Sequence, residues 1–379
     1  MAELLNKNFM SVHYGEIALK GGNRKRFEKI LIDNIRRQTG LNPIKLENRL
    51  VLENAGQDAK DVLRLTPGVD WIGKSFAVER NLNLLKEKID ELRKNSDIKL
   101  DVNRIDKNYE KDSQWIYEFL SKDRKKGAAK VRVEVFKDFF VISHDIESCI
   151  GGLPVGSAGR VISLFSAGID SSAVPFELMK RGCSVDLLHV YAMPNTDEII
   201  RSKVGDIVRE ISKINKVRLY AVPFSVFAIE TADVGHGYDL VLFKRFLLKL
   251  AEKLAGRYGY KAIASGDSLS QVASQTLDNI KAVDRDISVP VFRPFITANK
   301  EEIIKKAKFY NTYGYSIKEY RDCCSIVSKK PATHVRTEKL ERIEDDIELD
   351  SVVEKSIKSM SVFDVWNGSL DFVKPEIVV

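Results

Sequence analysis

The sequence has 379 residues, 44% of them hydrophobic, and a net charge of +7. That length supplies two or three domains with full cores, and the absence of an 18-residue apolar run excludes a membrane-spanning helix; the positive charge suits a polyanionic partner such as RNA. The four cysteines, Cys149, Cys183, Cys323 and Cys324, are too irregular for a disulfide framework, and no C-x-x-C pair points to zinc or an iron–sulfur cluster, so reduced thiols are expected. The first residues lack a cationic segment feeding an apolar run, which predicts a cytoplasmic chain.

In chain order, residues 9–14 read as a strand, and an amphipathic helix over 27–37 buries Phe27, Ile30, Leu31 and Ile35. Between them, Gly21 and Gly22 with Lys20, Arg24 and Lys25 form a flexible cationic turn, either a contact for a phosphate backbone or a solvated loop. Strands over 50–52 and 71–78 and a helix over 59–65 complete an α+β unit, 1–75. A second unit, 76–148, has helices over 82–93 and 114–120, a strand over 98–102, and a period-two hairpin over 131–135 and 139–142. The basic run 122–130, with Arg124, Lys125 and Lys126, is either an RNA-contact edge or a charged solubilising loop. Gly151, Gly152, Pro154, Gly156 and Gly159 make 149–160 a connector.

Residues 161–335 alternate apolar strands (161–165, 184–190, 217–222, 261–265) with long helices (173–181, 196–214, 239–257), the signature of a parallel sheet buried on both faces. Ligands in such α/β folds lie at the carboxyl ends of the strands. There the turn Ser166-Ala167-Gly168-Ile169-Asp170-Ser171-Ser172 joins strand to helix: Gly168 can take positive φ, Ser166, Ser171 and Ser172 add donors, and the helix start adds partial positive charge. The expected ligand is a phosphate chain. The absence of a following Gly-Lys-Ser/Thr excludes a Walker A loop, and no G-x-G-x-x-G follows the strand.

Lys244 lies beside an apolar stripe, either snorkelling to water or held for an anion. Residues 268–276 read as a polar helix start with Ser268 as cap. Cys323 and Cys324, adjacent and therefore poorly placed to bridge each other, precede Lys329 and Lys330. They are either thiols of lowered pKa or half-buried structural cysteines. Residues 336–379 read as a helix and a tail.

Ser-x-Gly-x-Asp-Ser after a buried strand resembles the PP-loop of the ATP pyrophosphatases, although Ala167 stands where that family usually has Gly. The motifs Tyr14-Gly15-Glu16-Ile17-Ala18-Leu19-Lys20-Gly21, Gly151 to Gly156, the PP-loop, Gly266 to Thr276, Arg293-Pro294-Phe295 and Asp322-Cys323-Cys324, in that order, resemble the tRNA 4-thiouridine synthetases. The resemblance implies a ferredoxin-like domain, a THUMP domain that grips tRNA and a PP-loop domain. It further implies ATP held by Leu164, Phe165, His189, Val190, Lys244, Gly266 and Gln275, with Asp170 positioning the pyrophosphate and Mg2+. By the same resemblance Cys324 is the active-site cysteine, uridine 8 of tRNA is adenylated and then thiolated, and the chain is a homodimer. The family is also linked to thiazole synthesis for thiamine. Two departures stand out: within these 379 residues there is neither the rhodanese domain of many bacterial members nor the C-x-x-C of some archaeal ones. The sulfur donor, a desulfurase persulfide or free sulfide, therefore stays open. A PP-loop synthetase acting on a small molecule and a non-catalytic RNA-binding protein are the competing readings.

Overall fold

A computed structural model describes residues 4, 5, 7–121, 129–232, 234, 237–320, 322–327, 332 and 334–373. It divides into two compact units, Met1–Pro154 and Val155–Val379.

The first unit is built on one seven-stranded sheet: β1 (Asn8–His13), β2 (Ile44–Leu46), β3 (Arg49–Leu52), β4 (Trp71–Glu79), β5 (Ile98–Arg104), β6 (Ala129–Val135) and β7 (Phe139–Ser148), in the order β2-β3-β1-β4-β7-β6-β5. The expected 75/76 division falls inside β4. That strand pairs with β1 on one edge and β7 on the other, so its backbone hydrogen bonds join the two halves. Each half keeps its own core, one around Val12, Leu31 and Ile35, the other around Leu85, Ile89 and Ile116. The glycine-rich connector is fastened at its start: Gly151 donates to the Val69 carbonyl (2.8 Å) and its own carbonyl accepts from Gly68 (2.9 Å).

The second unit holds β8 (Arg160–Leu164), β9 (Ser184–Tyr191), β10 (Val217–Pro223), β11 (Ala262–Ala264), β12 (Val291–Phe292), β13 (Ser361–Trp366) and β14 (Ser369–Val373), ordered β12-β11-β8-β9-β10-β13-β14. The first five are mutually parallel. The last two add on antiparallel. The order reverses at β8, which has β9 on one side and β11 on the other, and this switch point is where an α/β sheet opens a crevice.

Two expectations change here. Residues 336–373 are no tail: after helices Thr337–Asp346 and Leu349–Lys358, β13 docks against β10 and turns through Asn367-Gly368, both at positive φ, into β14. Asn-Gly is the dipeptide that a two-residue hairpin turn selects, because both positions need left-handed backbone. The helix expected over 196–214 is two helices, Thr196–Arg201 and Lys203–Ser212, broken where the Ser202 hydroxyl caps the second by accepting from the Val204 amide (3.1 Å).

Candidate active site

A cavity of about 490 Å³ opens at the carboxyl ends of β8, β9 and β11. Leu164, Leu188, Val190, Phe243, Leu247 and Val283 give it an apolar wall; Ser166, Gly168, Asp170 and Ser171 form one polar rim. The mixture suits a ligand with one flat apolar end and one anionic end.

The rim loop is folded by its own serines. The Ser171 hydroxyl accepts from the Ser166 amide (3.2 Å) and lies 3.0 Å from the Ser166 hydroxyl, while the Gly168 carbonyl accepts from the Ser172 hydroxyl (2.7 Å). Ser172 is fully buried and is committed to that bond, so it shapes the loop and does not line the cavity. The positive φ expected of Gly168 belongs to its neighbour: Ala167 sits at φ 59°, while Gly168 is extended at φ −77°, ψ 169°. A Cβ on left-handed backbone costs about 1–2 kcal/mol, a cost that glycine at position 167 would not carry. Gly168 N-caps helix Ile169–Met179, and no side chain caps its first amides, which leaves them directed at an incoming anion. Gly266 is required by contact: a Cβ on it would stand 2.9 Å from the Ser171 nitrogen and 3.1 Å from its α-carbon.

Two carboxylates organise the polar part. At the mouth, Asp170 accepts from Lys300 (2.6 Å) and from Gln271 (2.9 Å). Deeper, Asp267 accepts from Lys244 (2.8 Å), Ser265 (2.7 Å), Gln275 (3.2 Å) and Arg293 (3.3 Å), and Arg293 is itself held by Asp284 (2.5 Å). Burial alone would raise the Asp267 pKa, but the Lys244 ammonium, the Ser265 hydroxyl and Arg293 hold it well below the usual carboxylate range. Lys244 is thus an ion-paired wall residue and not a snorkelling one. The Gln275 carboxamide oxygen is buried without a partner on the cavity wall, an acceptor available to a ligand.

His189 plays another part. Its Nδ1 lies 2.7 Å from the Phe165 carbonyl, which can only accept, so the proton sits on Nδ1 and Nε2 accepts from the Tyr320 hydroxyl (2.8 Å). Burial lowers its pKa to about 4, leaving the ring neutral, and it stands behind the cavity wall with both nitrogens used. Its strand neighbour Val190 does line the cavity and accepts through its carbonyl from the Cys323 thiol (3.3 Å).

Cys323 and Cys324 form the start of a short helix, Cys323–Val327, and both line the cavity. Of the two alternatives the lowered pKa fails: burial, then the Asp322 charge, pushes both thiols up to about 12. Lys329 and Lys330, the basis of that expectation, lie outside the described residues. Residues 268–276 are a loop with a single 3-10 turn; the helix begins at Leu277 with Thr276, not Ser268, as its cap.

Sequence reasoning gave Asp267, Gln271, Lys300 and Arg293 no role. Lys300 carried a signal, being a cation at the first position of helix Lys300–Phe309, where the macrodipole favours acids. In the first unit, Arg24 is spent on Glu28 (2.7 Å) and Tyr14 (3.3 Å), and Lys20 is 3.7 Å from Glu16; Lys25 is exposed. Arg24 is therefore a structural cation. Arg124, Lys125 and Lys126 lie outside the described residues.

Comparison with known proteins places this architecture. The family described as thiamine biosynthesis protein (ThiI) matches residues 156–349, and the ThiI ferredoxin-like domain matches residues 9–70. A probable tRNA sulfurtransferase of Staphylococcus aureus strain RF122 is 30% identical over 380 residues, covering 93% of each chain. The chain belongs to the ThiI family. A solved 4-thiouridine synthetase, crystallised as an RNA complex with bound ATP, is 31% identical with a TM-score of 0.80, covering 94% of this chain and 99% of its own. A Pyrococcus horikoshii protein, 22% identical over 80% of this ThiI chain with a TM-score of 0.58, shares the fold. The α/β architecture and the ferredoxin-like N-terminal part expected from the sequence are thereby established for this ThiI chain. Among the described residues no helix is long and apolar enough to cross a membrane.

Proposed function

We propose that this tRNA sulfurtransferase binds ATP in the cavity between β8, β9 and β11, adenylates uridine 8 of tRNA, and replaces its C4 oxygen with sulfur. The observation that carries the reading is the uncapped start of helix Ile169–Met179 on the serine-folded loop, opening into the same apolar cavity as Cys324. The adenine would take the apolar wall beside Val190, with the free Gln275 oxygen as an acceptor. The triphosphate would take the rim, where backbone amides, Ser166 and Ser171 supply donors and the helix supplies positive potential. The uridine O4 then attacks the α-phosphorus and pyrophosphate leaves. Sulfur attacks C4 and AMP leaves with the former O4.

Asp170 is the residue that would hold a magnesium ion: its carboxylate stands at the mouth beside the phosphate loop, and Mg2+ commonly takes one or two carboxylates plus phosphate oxygens. Such an ion would neutralise charge on the departing pyrophosphate. Lys300, on the rim carboxylate, can change partner when a phosphate arrives, while Lys244 stays on Asp267 and adds positive potential to the cavity.

Cys324 is the proposed sulfur carrier. Cys323 spends its thiol on Val190 and is 2% exposed, which leaves Cys324 as the better placed of the pair. Burial keeps the Cys324 thiol protonated until it is loaded. If a cysteine desulfurase delivers sulfur as a persulfide, an external thiol must cleave the S–S bond, since adjacent cysteines bridge poorly. If free sulfide attacks, no reductant is needed. Thionucleoside analysis of tRNA treated with Cys324→Ala separates the routes. The proposal expects desulfurase-dependent 4-thiouridine to be lost; unchanged product with both donors removes Cys324 from the mechanism.

The family description extends the proposal to sulfur supply for thiamine's thiazole, and we place the chain in the cytoplasm as a homodimer, for which light scattering is the test.

A further inference from the structure

Among the described residues, three carboxylates line the cavity: Asp170, Asp267 and Asp322. Asp170 is committed to Lys300 and Gln271, and Asp267 to Lys244, Ser265, Gln275 and Arg293. Asp322 takes no part in the proposed steps. It heads the short helix Cys323–Val327: its carbonyl accepts from the Ser325 amide (3.1 Å) and hydroxyl (2.6 Å), and the Cys324 and Cys323 amides donate to its carboxylate. Those bonds fix the direction of the carboxylate. Among the described residues Asp322 has no ion pair, and the cation acting on it from a distance, Lys203, is held by the Ser316 carbonyl (2.9 Å). Burial outweighs both influences and raises the Asp322 pKa above the usual carboxylate value.

We propose that Asp322 is the general base of adenylation, taking the N3 proton of the uridine as its O4 attacks ATP. The C4=O4 π pair forms the bond to the α-phosphorus, and the bond to the bridging oxygen breaks as pyrophosphate leaves with its electrons. The N3–H pair becomes the N3=C4 π bond, and the proton passes to an Asp322 oxygen. Without that transfer the adenylated base would hold a positive charge against an apolar wall, where an unpaired charge is costly. Position follows from the sulfur. C4 is bonded to both O4 and N3, so a sulfur carried by Cys324 to C4 arrives beside N3, and Asp322 is near enough for its charge to act on the Cys324 thiol. Basicity decides among the three carboxylates that share the cavity: a general base works best with its pKa close to the working pH, and Asp267 is held far below it. The role rests on the reading that the chain adenylates uridine.

An aspartate at a helix start can also be a cap and nothing more. Asparagine and serine cap as aspartate does but take no proton, so D322N and D322S part the two roles. The test is single-turnover pyrophosphate release by the full chain, with ATP, unmodified tRNA and no sulfur donor, between about pH 5 and pH 9. Both variants should keep the thermal midpoint and bind ATP within about twofold of the parent, while pyrophosphate release falls about a hundredfold or more. The parent rate should fall as the pH drops through the Asp322 pKa, and the residual rate of D322N should lack that acidic limb. The other titratable groups around Asp322 do not supply such a limb: Lys203, Tyr320 and the two thiols lose protons on the alkaline side, and His189, bonded to Tyr320, titrates at about 4. Parent rates in either variant, or an acidic limb that survives in D322N, overturn the assignment. Losses of midpoint or ATP affinity that match the loss of rate do so too, leaving Asp322 a cap. No pyrophosphate from the parent with tRNA would instead overturn the adenylation reading, and this role with it.

Discussion

The mouth and the floor of the cavity each hold a carboxylate paired with a lysine, and the two pairs do different things. Asp170 and Lys300 meet at the rim, with side chains 18% and 45% exposed. Asp267 and Lys244 meet deeper, at 16% and 18%, and Asp267 also anchors Ser265, Gln275 and Arg293. The rim pair is the kind that solvent screens, contributing little to stability and parting readily; the floor pair strands a charge if either partner is lost. Pairing alone therefore says little about role. What matters is how many other groups each carboxylate holds and whether water can replace them.

The largest break in that symmetry should come from Asp267→Asn, which leaves Lys244 and Arg293 facing a neutral amide. We expect a loss of about 3 kcal/mol, roughly 6–12 °C in the thermal midpoint of a unit this size, whereas Asp170→Asn should move the midpoint by no more than about 1 kcal/mol while cutting turnover at least about a hundredfold. Equal midpoints for the two variants would show that the floor is no more than a second rim.

The same contrast appears with pH. The Asp267 carboxyl is held below its unfolded value, near 3.9, so its stabilisation is complete above that value and drains away as pH falls toward the native pKa. Melting the parent and Asp267→Asn between about pH 6 and pH 3 should show the gap between them closing in acid. A gap that stays constant would mean that Asp267 acts through shape alone.

Gly266→Ala probes the join between floor and rim, because the new Cβ would meet the Ser171 nitrogen at 2.9 Å. ATP affinity should fall about tenfold or more, with a midpoint loss of about 1–3 kcal/mol, read by calorimetry and melting. The smallest change is expected of Ala167→Gly, which relieves a left-handed alanine at the rim: a gain below about 1 kcal/mol, because glycine's extra unfolded-state freedom offsets most of the relief.

How much of this was legible follows from the range of the signals. The loop 166–172 could be read because strand, polar turn and helix are consecutive, and the parallel sheet because its strands lack polar alternation. The role of Asp267 escaped because its charged partners, Lys244 and Arg293, stand 23 and 26 residues away, so that role exists only after the strands are assembled. His189 is expected at the ligand only through the family resemblance, which does not say which of its atoms make the contact; folding gives both ring nitrogens to Phe165 and Tyr320. The terminal hairpin was written in Asn367-Gly368 between period-two segments, a short-range signal that was present and passed over. The raised thiols of Cys323 and Cys324 depend on burial, which local charge does not report.

The central claim is that the rim grips a triphosphate so that the adenylate, and not a phosphoryl group, passes to an RNA base. Chromatography of radiolabelled ATP products, with and without unmodified tRNA, tests it directly. The account predicts AMP and pyrophosphate in step with 4-thiouridine, dependent on tRNA and lost in Asp170→Ala. Release of ADP and orthophosphate, or full thiolation by Asp170→Ala, would contradict it.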